Sequence, residues 1–241
     1  MEKVRILQIG DMQNGFTQED GNLYVKGAQD IIAPANDFLR RVRDGVFDRT
    51  LIILDTHFAE EYSRTEEGKV FPVHCEYGTD DWELAIDVSG LPNKRYLTKN
   101  RFDMWSEKRS EDTPFNDPGR KAAHENLFHF VDNPYEPGER VAREEYVRAI
   151  SPGRNLAGVE VTLFGVASDY CNRYAMEGWL ERGASVTIVQ DLTKGIEKET
   201  PQVLDEPQYR QYIGSRLRAV DSVGYLRELA DSVVQNATGY S

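Results

Sequence analysis

At 241 residues the chain is long enough for one large α/β domain with a sizeable core. Its 39% hydrophobic and 29% charged residues are ordinary for a soluble globular protein. A formal net charge of -12, with no basic run anywhere, argues against a nucleic-acid partner, whose phosphates call for clustered Lys and Arg.

The opening MEKVRILQIGD holds only one short apolar run, too short for a signal-peptide core. No stretch approaches the ~20 apolar residues of a membrane span, so no membrane partner is expected. The two cysteines, Cys75 and Cys171, sit in different contexts and do not suggest a disulfide framework. A cytoplasmic protein with reduced thiols is the economical expectation.

In chain order, Val4–Gly10 (VRILQIG) is a short apolar run that closes on Gly-Asp and reads as a buried strand. Gly27–Arg43 carries Ala28, Ile31, Ile32, Ala35, Phe38, Leu39 and Val42 at the spacing of one helix face. Thr50–Asp55 (TLIILD) predicts a second buried strand, and Arg95–Thr98 a shorter one. Asn100–Pro152 is polar and rich in Pro, Gly and charge. It reads as an insert at about 100–152: a lid, an oligomer contact or a partly mobile loop. Val159–Gly165 and Ala184–Gln190 are strong strands, and Cys171–Arg182 between them reads as a helix capped by Gly183. From Thr200 on, Tyr212, Leu217, Val220, Val223, Leu226 and Leu229 follow helical spacing, which predicts a helical extension at about 200–241.

Strands alternating with helices predict a doubly wound, mostly parallel α/β sheet with helices on both faces, in a single domain over 1–241. In such sheets functional groups gather at the carboxyl ends of strands. Asp11, Asp55, Lys99 and the Ala167–Cys171 turn each follow a predicted strand, so four strand ends deliver polar groups to one edge.

Cys171 opens a helix, where the positive end of the macrodipole favours a thiolate. Lys99 is the candidate ammonium beside it, and Asp11 the candidate proton acceptor. Read singly, Cys171 is equally a small residue packing helix on sheet, Asp11 a turn former and Lys99 a surface lysine. Only the set of three on three strand ends is informative. Asp55 and His57 form an Asp-x-His pair; with His74 and Glu67 they make a donor set suited to one divalent ion, zinc, iron or manganese. Each histidine is otherwise an ordinary hydrogen-bonded side chain, and Glu67 a loop charge. His124 and His129, in the insert, read as structural or exposed.

These pieces match a family pattern. DMQNGF (Asp11–Phe16), LDTHF (Leu54–Phe58), EGKVFPVHCEYGT (Glu67–Thr79), Lys99, GVASDYC (Gly165–Cys171) and DLTKGI (Asp191–Ile196) stand in the order found in the isochorismatase-like cysteine hydrolases. Within them the chain looks most like the nicotinamidases. The resemblance implies a catalytic triad of Asp11, Lys99 and Cys171, and a cis peptide between Val166 and Ala167. It implies an oxyanion hole from the Ala167 and Cys171 amides, and Phe16 and Phe71 packed against a substrate ring. It also implies a metal held by Asp55, His57, His74 and Glu67. Relatives acting on isochorismate or carbamoyl compounds typically lack the metal set.

The activity implied is hydrolysis of nicotinamide to nicotinate and ammonia through a thioester. The alternatives are another small amide or carbamoyl substrate on the same triad, or a non-catalytic binding protein of the same fold. The expected partner is a small-molecule amide, and assembly as a homo-oligomer is an expectation from the fold type alone. Three features depart from the pattern: the long segment between Lys99 and Cys171, the extension beyond Ile196, and Gly15 where many members carry an acidic residue.

Overall fold

The computed structural model describes residues 3–42, 44–65, 67–106, 115–136, 138–150 and 155–238. Within them the chain forms strands β1 (Val4–Gly10), β2 (Arg49–Asp55), β3 (Lys94–Lys99), β4 (His129–Val131), β5 (Arg140–Ala142), β6 (Val159–Val166), β7 (Ser185–Lys194) and β8 (Leu217–Val220). They join in one sheet of order β5-β4-β3-β2-β1-β6-β7-β8, with β4 antiparallel to both of its neighbours and the other pairs parallel. The strands predicted from the apolar runs are all present. They are the central ones, buried on both faces, and a doubly covered strand carries an uninterrupted apolar run.

Helices cover both faces. Helix Gln29–Arg41 packs Phe38 and Leu39 into one core, with Tyr225 and Leu229 of helix Ser222–Thr238 beside them. On the opposite face, helix Cys171–Glu181 sets Met176, Trp179 and Leu180 into a second core with Tyr146 and Val147. The indole of Trp179 donates to Gln8 Oε1 at 2.7 Å, which ties the cysteine-bearing helix to β1. This helix ends as predicted: Gly183 takes φ +96°, and Ala184 N–H returns to the Trp179 carbonyl at 3.0 Å.

Two stretches differ from the sequence reading. The terminal segment is not one helix: it contains a short helix Thr200–Leu204, then β8, and only from Ser222 the long helix. Tyr212, Leu217 and Val220 keep helical spacing, but Gly214 at φ +76° breaks the chain and Leu217 pairs with Val186 of β7. The 100–152 segment contains helices Pro118–Glu125 and Arg143–Ile150, and its β4 and β5 lengthen the sheet at one edge. Residues 107–114, 137 and 151–152 of that segment lie outside the described residues.

The strand order reverses beside β1, with β2 on one side and β6 on the other, and such switch points open a crevice at the carboxyl ends. Gly10 and Gly165 face one another there. Gly165 has φ +123°, and a Cβ on it would stand 2.0 Å from the Gly10 carbonyl oxygen. No side chain fits that spacing, so Gly165→Ala is expected to destabilise the fold by about 3 kcal/mol or more. Urea unfolding of the purified variant checks this; an unchanged midpoint would contradict it.

Candidate active site and metal centre

Each candidate group reaches the crevice from a different strand end. Asp11 follows β1 directly and adopts φ +49°, a left-handed conformation that points a fully buried carboxylate inward. Asp55 closes β2, Lys99 closes β3, and Cys171 opens the helix after β6. Lys99 is 1% exposed and is the hub: its Nζ lies 2.9 Å from Asp11 Oδ2, 3.2 Å from Asp55 Oδ1 and 3.4 Å from Cys171 Sγ.

The electrostatics follow from burial. Desolvation raises the Asp11 carboxyl above its ordinary value against the pull of Lys99, with Asp55 adding to the rise. Asp55, though burial works against its charge, is held well below the usual carboxylate range by Lys99 and His57. Burial likewise opposes the Lys99 charge, but Asp11 and Asp55 outweigh it and keep the ammonium protonated. The Cys171 thiol is pushed well up by burial, and Asp11 and Asp55 add to that against Lys99. This corrects the expectation from the helix terminus, because desolvation beside two carboxylates outweighs a half-charge dipole end. The resting sulfur therefore keeps its proton, with Lys99 Nζ 3.4 Å away and Asp11 across that ammonium.

The turn before Cys171 is fixed by backbone bonds. Ser168 N–H donates to the Lys194 carbonyl at 2.8 Å, and Asn172 N–H to the Ala167 carbonyl at 3.0 Å. The Val166–Ala167 peptide is cis.

Beside this trio, Asp55, His57, Glu67 and His74 form a buried cluster whose donor atoms all lie within 4.8 Å of one another. Asp55 Oδ2 stands 3.1 Å from His57 Nε2 and 3.2 Å from His74 Nε2. Glu67 Oε1 is 3.7 and 3.4 Å from the same two nitrogens, and it is buried without a hydrogen-bond partner. An orphaned buried carboxylate oxygen facing two imidazoles is a donor set that fits a divalent ion. His74 Nδ1 lies 2.9 Å from the Pro72 carbonyl, which only accepts, so Nδ1 carries the proton and Nε2 turns to the cluster. Without an ion, His74 is pushed up to about 10: burial opposes the charge, but Asp55 and Glu67 prevail. Asp55 is shared, one oxygen facing Lys99 and the other the cluster.

Phe16 is buried with its ring 5.2 Å from that of His74. Phe71 is half-buried, and its ring packs at 5.9 Å from Phe102 and 6.3 Å from Tyr170. Sequence reasoning did not single out Phe102 or Tyr170, although both stand close in sequence to a candidate group, Lys99 and Cys171. It also passed over Gln13 and Tyr62. The Gln13 amide accepts from Asp55 N–H at 2.8 Å and donates to the Asp55 and Trp82 carbonyls at 2.9 and 2.8 Å, locking the end of β2. The Tyr62 hydroxyl lies 3.2 Å from His74 Nδ1, and its ring lies 4.7 Å from that of His57. Gly15 has its own explanation: a Cβ there would stand 2.6 Å from Asp81 Oδ2, the atom that accepts from Cys75 N–H at 2.6 Å. Among the described residues no helix is long and apolar enough to cross a membrane.

The family described as the Isochorismatase domain matches residues 5–114, which carry Asp11, the Asp55–His57–Glu67–His74 cluster and Lys99. The nicotinamidase/pyrazinamidase of Mycobacterium tuberculosis is 23% identical over 202 residues, covering 82% of this chain and 90% of that protein. Among solved structures, the pyrazinamidase of Pyrococcus horikoshii in complex with zinc aligns over 90% of this chain and 98% of its own, at 20% identity and a TM-score of 0.56. N-carbamoylsarcosine amidase from Thermoplasma acidophilum aligns over 91% and 96% at 16% identity and a TM-score of 0.54. The domain match covers residues 5–114 and the shared fold most of the chain's length, so the chain is similar to isochorismatase-domain proteins, a nicotinamidase/pyrazinamidase among them.

Proposed function

We propose that the protein is a metal-containing cysteine amidohydrolase that converts nicotinamide to nicotinate and ammonia. The observation that carries this reading is Asp55, whose two oxygens join a buried Asp11–Lys99–Cys171 trio to a four-residue donor cluster. Carbonyl attack by sulfur and an aromatic nitrogen ligand are thereby served within one crevice.

Asp11 takes the proton from Cys171 Sγ as the sulfur attacks the amide carbonyl. Its raised affinity for a proton suits that task, and Lys99 balances the charge that develops between sulfur and carboxyl. The Ala167 and Cys171 backbone N–H groups stabilise the oxyanion. Asp11 returns its proton to the departing ammonia, leaving a nicotinoyl thioester on Cys171. Asp11 then activates the water that hydrolyses it. Phe16 and Phe71 pack against the pyridine ring. A divalent ion on Asp55, His57, Glu67 and His74 would supply a ligand site for the ring nitrogen; zinc is the first choice, with iron and manganese as alternatives.

Removal of metal by a chelator followed by dialysis is expected to lower nicotinamide hydrolysis at least about 10-fold, with recovery on adding back Zn²⁺, Fe²⁺ or Mn²⁺. Full activity in protein shown by elemental analysis to be metal-free would contradict the ion's part. Turnover of a carbamoyl compound in place of nicotinamide would shift the substrate and keep the triad.

A further inference from the structure

Rested on that metal site, one feature of the 100–152 segment has no part in the chemistry above. Helix Pro118–Glu125 is seated against the two chain segments that carry the histidine ligands. Arg120 reaches Glu60 with two parallel bonds, Nε to Oε1 at 2.8 Å and Nη2 to Oε2 at 2.7 Å. The same guanidinium donates to Glu76 Oε1 and to the Tyr77 carbonyl, each at 3.0 Å. One turn on, His124 Nε2 lies 3.0 Å from Glu61 Oε2, and Asn100, next to Lys99, donates to Glu61 Oε1 at 3.0 Å.

Glu60 and Glu61 belong to the short helix Ala59–Tyr62, whose first turn hangs from Phe58, the neighbour of His57. Tyr62 of that helix packs against the rings of both His57 and His74. Glu76 and Tyr77 lie just past His74, and His57 pairs opposite Glu76 through its neighbours: His57 N–H to the Cys75 carbonyl at 3.0 Å, Tyr77 N–H to the His57 carbonyl at 2.9 Å. One side chain, Arg120, thus bridges the segment after His57 to the segment after His74. A forked guanidinium does this with fixed angles, which an ammonium cannot. The Glu60 carboxyl is held below its ordinary value chiefly by its bonds to Arg120, consistent with a persistent pair.

We infer that helix Pro118–Glu125 is a clamp on the metal site, with Arg120 as a positioning residue that holds the His57 and His74 segments at ligating distance. It touches neither substrate nor ion. Outer contacts of this kind typically set metal affinity within a factor of about 10–100.

The test measures the Zn²⁺ dissociation constant by competition with a chromogenic chelator, for the parent, Arg120→Met, Glu60→Gln and Arg140→Ala. Arg140 bonds the far end of the same helix, to the Glu125 carbonyl at 3.1 Å, and serves as control. Arg120→Met and Glu60→Gln are expected to weaken Zn²⁺ binding about 10- to 100-fold, and Arg140→Ala to leave it within about twofold. The rate of Cys171 alkylation in metal-free protein should match the parent in all of them, since the trio is untouched. Should Arg120→Met fail to fold, Glu60→Gln decides alone. Zn²⁺ affinity equal to the parent in a folded clamp variant would overturn the clamp and leave the metal site standing. A parent that takes up no Zn²⁺ would overturn both.

Discussion

Lys99→Met is expected to destabilise the metal-free protein by about 3–5 kcal/mol at neutral pH, one of the largest effects of any single substitution. Lys99 is the cation between two fully buried carboxylates, Asp11 and Asp55; its removal leaves the Asp11 charge without a cation and Asp55 with only the two imidazoles. The deficit has a signed pH dependence. In the parent, Asp55 is held below its ordinary value, so its contribution is present at neutral pH and lost as pH falls through that lowered value. In the variant, burial without Lys99 lifts Asp11 further above its unfolded value. Its stabilising protonated form then appears on acidification and is lost as pH rises through the raised value. The gap between parent and variant should therefore narrow from pH 7 toward about pH 4. Urea unfolding across that range tests it; a gap constant with pH would mean that Lys99 contributes through packing rather than charge.

Cys171→Ala is expected to lower nicotinamide hydrolysis by about 10⁴-fold or more while leaving the fold and nicotinamide binding almost unchanged. On the proposed mechanism Cys171 has no substitute: the other cysteine, Cys75, is fully buried, and Lys99 Nζ stands against Cys171 Sγ. Removal of one member of a concerted group costs nearly the whole of its rate enhancement. The substitution deletes one atom at a helix terminus and relieves a sulfur buried between charges, so a shift in the unfolding midpoint should be small. A variant retaining a tenth of parental turnover would remove Cys171 from the mechanism.

Much of this arrangement was legible in the chain. TLIILD and VRILQIG reveal buried parallel strands because a strand covered on both faces has no polar alternation. A polar residue just past such a run must then lie at the sheet's carboxyl edge. That logic brought Asp11, Asp55, Lys99 and Cys171 together from positions far apart in sequence, and the distances among them agree. Other parts had no such signal. His-Phe-Val of β4 and Arg-Val-Ala of β5 are too short for a periodic pattern, and β8 was read as helix because four residues satisfy either period. Gln13 and Tyr62 act through backbone and ring contacts set by tertiary packing, which spacing does not encode. The sequence argument favoured a thiolate at Cys171 from the helix terminus and a nearby lysine. It could not weigh these against the depth of burial and the nearness of Asp55, and both push the thiol the other way.

The 100–152 segment shows the same limit. Its charge and proline content suggest a lid, an oligomer contact or a partly mobile loop, and do not reveal the helices and short strands of its described part. Two of its side chains, Arg120 and His124, face carboxylates of the helix that follows His57. A surface-like composition there reflects paired charge, and pairing is invisible until both partners are located.

The central claim is that this crevice hydrolyses nicotinamide. The most direct measurement is the steady-state release of ammonia and nicotinate from nicotinamide by Zn²⁺-loaded protein, each product assayed independently. The account predicts that both appear in equal amounts and that neither is formed by Cys171→Ala. Protein that carries stoichiometric Zn²⁺ and a reactive Cys171 but releases neither product would contradict it.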